Sequence, residues 1–102
     1  SSGAQRSRFT PQVSTLVEQG FRNLVFTEWY GFYLPAKAPE DQVQQLNAAL
    51  NQALKSPDVI EALHGFGMES SPSTPAELET ALQRDARIWG PIVKSIGFTA
   101  DS

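Results

Sequence analysis

The sequence predicts an α/β chain dominated by helix, in which one long strand leads into three helices. Two observations carry this expectation. Residues 24–34, LVFTEWYGFYL, hold half of the aromatic side chains, and their β-branched and aromatic content favours a strand. Beyond Pro35, apolar residues recur at three- and four-residue spacing in three blocks, each with its own start and stop residues.

Residues 1–14 show little periodicity and read as a loop. In the next segment, STLVEQGF, Thr15 can accept from the backbone N–H of Glu18, and Glu18 can reach back to the N–H of Thr15. Gly20 then ends a short helical turn. The run 24–34 alternates imperfectly, because Trp29 and Tyr30 are adjacent, and such a run fits a strand covered on both faces. Gly31 in its middle suggests a bulge or a close approach by another backbone or a ligand.

The first long helix is expected from about Pro39 to Lys55. Pro39 suits the first helical position, and Glu40 and Asp41 suit the positive end of the helix dipole. Val43, Leu46, Leu50, Ala53 and Leu54 form its apolar stripe, with Gln and Asn on the solvated side. Ser56-Pro57-Asp58 opens a second helix, with Val59, Ile60 and Leu63 inward and Gly65 or Gly67 as its stop. MESSP reads as a short extended link or an edge strand. Thr74-Pro75-Ala76-Glu77 joins a capping box to a proline at the first position and starts a third helix. Leu78, Leu82, Trp89 and Val93 mark its buried stripe, and Gly97 ends it. Pro91 cannot donate to the carbonyl of Arg87, so a kink or break is expected there. The pattern thus divides into a loop with a short helix over 1–23, a strand over 24–34 and a helical portion over 39–102.

Composition narrows the function. A length of 102 residues fits one small domain, and a net charge of −3 without a basic stripe argues against nucleic-acid binding. Cysteine is absent, which excludes disulfide and thiol chemistry. No apolar stretch approaches the ~20 residues a membrane span needs. The opening SSGAQRSR has no apolar core of a signal peptide and starts no element, as expected for a piece of something longer.

No constellation for catalysis stands out. His64 is the single histidine and has no ligand-spaced partner, so it reads as a polar residue near a helix C-terminus. Glu40 and Asp41 are explained by the helix dipole, and Arg84, Asp85 and Arg87 by a local surface network. The chain contains no nucleophile elbow, P-loop or dinucleotide fingerprint. The aromatic run remains. It is either a core strand or a strand whose Glu28, Trp29 and Tyr30 reach a cleft, since Trp and Tyr pair an apolar body with a donor.

Five segments in order, VSTLVEQGF, TEWYGFYLPAKAP, VQQLNAALNQALKSPDVIEAL, STPAELETAL and RIWGPIVKSIGF, resemble the C-terminal third of one family. These are the extracytoplasmic solute receptors of tripartite tricarboxylate transporters, the Bug proteins. The resemblance covers essentially the whole chain, and its strength lies in the order of the motifs. Ser14 stands where the family favours Pro, Ala38 where it favours a capping Thr, Ile88 where a basic residue is common, and Pro91 is unusual after Gly90.

The resemblance implies a helix-rich partial lobe of a two-lobed, hinged periplasmic-binding-protein (flytrap) fold. Residues 24–34 would be its strand crossing between lobes. It implies a periplasmic receptor and not an enzyme, with no cofactor. Its ligand would be a small di- or tricarboxylate, and its partners the membrane subunits of the transporter. Thr27, Glu28, Trp29 and Tyr30 would border the ligand cleft. The family's anion-binding loops lie upstream of the matching segment, so the 102 residues alone are expected to bind no ligand and to self-associate through exposed apolar faces. The alternative from a different class is a stand-alone helical interaction module that binds through Trp89 and the aromatic run.

Overall fold

A computed structural model describes residues 1–100. It contains three helices: α1 (Glu40–Ala53), α2 (Pro57–Gly65) and α3 (Pro75–Ser95). The chain divides into two units, Ser1–Phe32 and Tyr33–Ser102, and the division falls inside the aromatic run.

The first unit is built from turns. Its centre is Thr15, the one fully buried side chain among the described residues. The hydroxyl of Thr15 accepts from the N–H of Glu18 at 3.1 Å, and the N–H of Thr15 donates to Glu18 Oε2 at 2.7 Å. A single helical turn comes next, and Gly20 stops it at a φ of 96°. There the N–H of Phe21 reaches the carbonyl of Leu16 and that of Gly20 reaches Val17, the bond pair of a Schellman motif. Capping at both ends therefore leaves room for one turn only.

In the second unit the start and stop residues act as expected at most ends. Thr74 and Glu77 form a complete capping box, and Pro75 opens α3. Gly67 (φ 70°) and Gly97 (φ 65°), not Gly65, are the stops after α2 and α3. Each allows a Schellman pair, with Met68 donating to Leu63 and Phe98 to Val93. The helix α1 begins one residue later than expected, because Pro39 keeps an extended ψ of 144° and becomes the N-cap. Proline offers no side-chain acceptor, so α1 starts without a side-chain cap.

Five expectations are corrected. Residues 24–34 form no strand: no strand occurs among the described residues, and the run is irregular and mostly exposed. A strand is defined by its neighbour, and no second segment pairs with this one in a ladder. MESSP is no edge strand, for the same reason. Of the kink or break expected at Pro91, the break does not occur, since α3 continues to Ser95. The fixed φ of proline is itself helical, and its ring removes one hydrogen bond rather than the whole turn.

The fourth correction concerns α1. Asn47 and Asn51 are not part of its solvated side but are half-buried. Both side-chain amides donate to the carbonyl of Ser73, at 2.8 and 3.0 Å, and Asn51 Oδ1 accepts from the N–H of Ser73 at 3.2 Å. Ser70 adds a hydroxyl bond to the carbonyl of Leu54. This clasp fixes the link ahead of α3 beside the C-terminal half of α1, and α3 packs against α1. Pro75, Leu78, Ala81 and Asp85 are accordingly half-buried, whereas every residue of α3 from Ala86 onward is exposed, so of the stripe expected to be buried only Leu78 is covered, and Leu82, Trp89 and Val93 are exposed. No apolar side chain among the described residues is fully buried.

Candidate functional site

The segment Thr27–Tyr30 carries the residue types best suited to a cleft wall. Tyr30 Oη donates to Glu28 Oε1 at 3.3 Å, which joins the polar tips of two side chains two residues apart. Tyr30 is 72% exposed, and Phe32 is equally so. Thr27 and Glu28 are exposed and Trp29 is half-buried. The four residues thus present a carboxylate, a phenol and an indole on one short run.

Electrostatics is concentrated elsewhere in the first unit. Arg6 Nε donates to both oxygens of Glu18, at 3.0 and 2.9 Å, and Arg6 Nη1 donates to the carbonyl of Pro11. The Arg6 guanidinium, then the N–H of Thr15, holds the Glu18 carboxyl below the usual carboxylate range, and Glu18 in turn raises Arg6. This cluster ties the loop over 1–14 to the turn after it. It supplies rigidity and leaves no oxygen of Glu18 unoccupied. In α3 the N–H of Thr74 likewise lowers Glu77.

Other candidates from the sequence keep their structural roles. His64 lies half-buried in the last turn of α2, where the helix dipole favours a cation. Arg84 Nε meets Asp85 Oδ1 at 3.0 Å on α3. No group of three or more His, Asp or Glu among the described residues could hold a metal ion. Among the described residues, no helix is long and apolar enough to cross a membrane. In the sequence, the Asn47–Asn51–Ser73 clasp is legible only as two asparagines four residues apart, next to Leu46 and Leu50 on the α1 stripe.

The segment order has counterparts in known proteins. Residues 1–98 match the family model described as the tripartite tricarboxylate transporter family receptor. A UPF0065 protein from the tcbD–tcbE intergenic region of Pseudomonas sp. strain P51 is 30% identical over 84 residues, covering 81% of this chain and 25% of that protein. A UPF0065 protein of Bordetella pertussis is 30% identical over 95 residues, covering 91% of this chain and 29% of its own length. The protein BugT of the same organism is 27% identical over 94 residues, covering 92% and 29%. The chain therefore spans between a quarter and a third of the length of these relatives. No solved structure gives a significant match. With a family model matched over nearly its whole length, the chain belongs to the tripartite tricarboxylate transporter receptor family.

Proposed function

We propose that this chain is the C-terminal part of a periplasmic solute receptor that captures small di- or tricarboxylates for a tripartite transporter. The observation that carries the reading is the family match over residues 1–98. The relatives' extra length supports a second inference, that most of the binding protein lies outside these 102 residues. In the complete receptor the run 24–34 crosses between two lobes and gains covering structure on both sides. Thr27, Glu28, Trp29 and Tyr30 border the cleft there, and the helical portion belongs to one lobe. A carboxylate ligand is then held chiefly by backbone N–H groups and ordered water of upstream loops, which suits an anion. Ligand contacts from both lobes stabilise a closed state that membrane subunits of the transporter recognise. The role is capture and delivery, with no reaction catalysed. On its own the 102-residue chain self-associates.

Calorimetric titration of a complete receptor carrying this segment with succinate, citrate and aspartate tests the reading. Saturable binding is expected there, weakened by Trp29→Ala, and no binding to residues 1–102 alone. Tight binding of any of the three by residues 1–102 alone overturns it.

A further inference from the structure

Ser1 and Ser2 are placed like the last rungs of a strand. The Ser1 amino group donates to the carbonyl of Ser14 at 3.0 Å, and the carbonyl of Ser1 accepts from the N–H of Leu16 at 2.8 Å. A residue bonded to the positions on either side of another, here Thr15, is the repeating unit of a parallel ladder. Ser2 turns to a different segment: its carbonyl accepts from the N–H of Phe26 at 3.0 Å. Neighbouring residues that bond to two different segments mark a strand lying between two others. In a longer chain the Ser1 nitrogen is an ordinary peptide N–H and can make the same bond.

The direction follows from what lies on either side of Phe26. Residues ahead of Ser1 running parallel to the aromatic run would pass beside Arg22 and Asn23. The chain turns there, with the N–H of Leu24 reaching the carbonyl of Phe21 at 3.2 Å, so no ladder can grow. Running antiparallel, the same residues pass beside 27–32, which are irregular and mostly exposed and are rich in strand formers. The matching parts of the relatives lie in their C-terminal regions and make up between 25% and 29% of their length. Polypeptide therefore precedes the counterpart of Ser1 in those proteins. A segment tethered through Ser1 is delivered to the edge at Phe26 at high effective concentration, which a second copy cannot match.

We propose that in the complete receptor the residues directly ahead of Ser1 form a β-strand that pairs antiparallel with residues 26–32. The inference rests on the receptor reading and names what pairs with the run. The Ser2–Phe26 bond sets the register. The residue just before Ser1 lies opposite Glu28, the second before it opposite Trp29, and the third opposite Tyr30. Glu28 and Tyr30 then donate their N–H groups to this strand, whereas Thr27 and Trp29 turn theirs away.

Disulfide trapping in a complete receptor carrying this segment is the test, and the segment brings no cysteine of its own. Opposed residues of a non-hydrogen-bonded antiparallel pair have Cα atoms about 4.5 Å apart, within disulfide reach. A cysteine at the second residue before Ser1 is expected to link to Trp29→Cys within one molecule, and not to Arg22→Cys. A link to Arg22→Cys instead overturns the antiparallel direction. Links between two molecules make a second copy the occupant and overturn the assignment. Amide exchange on the unsubstituted receptor keeps the test independent of how the variants fold. The Glu28 and Tyr30 amides are expected to exchange at least ~30-fold more slowly there than in residues 1–102 alone. Equal rates overturn the pairing, and protection without the Trp29 link overturns its register. Calorimetry with succinate, citrate and aspartate on the same unsubstituted receptor separates the two readings. Binding without pairing overturns the strand alone, and pairing without binding overturns the carboxylate reading and leaves the strand.

Discussion

The chain starts a helix twice with the same pair of residues, and the two starts end very differently. Thr15 with Glu18 opens a single turn in the first unit, whereas Thr74 with Glu77 opens the 21-residue α3. The bond lengths hardly differ: 2.7 and 3.1 Å in the first box, 2.8 and 3.2 Å in the second. A capping box therefore decides where a helix begins and not how far it goes. Length is set by the residues beyond the box. After Glu18 comes Gly20, whose positive φ closes the turn at once. After Glu77 comes a stripe of apolar residues at helical spacing, the first half of it packed against α1.

The boxes also differ in what anchors them from outside. In the first, the carboxylate itself is held, by the exposed Arg6. In the second, the backbone just ahead of the cap is held, by Asn47 and Asn51 through Ser73. Removing the second anchor should have the largest effect. Asn51→Ala takes away two bonds to Ser73 and leaves part-buried groups unmatched, at a cost of about 1–3 kcal/mol. Urea unfolding monitored by circular dichroism should show it. Native-state amide exchange should place the loss in the first turn of α3, with α2 unaffected. An unchanged midpoint would mean that the box positions α3 without the clasp.

Much of this is legible in the sequence. Thr74-Pro75 and Thr15 with Glu18 can be read directly, because caps are local and need only residues within one turn. The glycine stops are legible in the same way, although choosing Gly67 over Gly65 requires knowing which residue adopts positive φ. The aromatic run 24–34 reads as a strand and is not one, for a physical reason. Its propensity is real, but a ladder needs a second segment, and none pairs with it among the described residues. Asn47 and Asn51 fall on the wrong side of α1 in a sequence reading, because polar residues beside a stripe look solvated until a half-buried backbone group claims them. The cleft role of Thr27, Glu28, Trp29 and Tyr30 comes from family resemblance, since nothing local in the run distinguishes a cleft wall from a core strand.

The caps themselves give a smaller and more discriminating effect. Thr74→Ala should cost about 1 kcal/mol, as for an ordinary exposed N-cap. Thr15→Ala should cost more, about 2 kcal/mol, because Thr15 is buried and its hydroxyl satisfies a part-buried N–H. Serine at either position should restore most of the loss, since it keeps the accepting oxygen. Amide exchange at Glu18 and Glu77 measures the two separately. Equal losses would show that burial of Thr15 adds nothing to its cap.

Acid and salt separate the two boxes with the smallest signal. Both glutamates ionise below the usual carboxylate range, so each stabilises the folded form at neutral pH and above. That stabilisation is present above the ordinary carboxylate range and is lost as pH falls through the lowered folded value. The leading causes differ: the guanidinium of Arg6 for Glu18, and the N–H of Thr74 for Glu77. Salt screens an exposed ion pair but hardly touches a bond to a backbone amide one turn away. Titrating the Thr15 and Thr74 amide resonances at low and at high salt should therefore move the Glu18 midpoint upward with salt and leave the Glu77 midpoint in place. Arg6→Gln should bring the Glu18 curve close to that of Glu77 even at low salt. If both midpoints respond to salt alike, Arg6 adds nothing beyond the box, and the difference between the two helix starts lies wholly in Gly20.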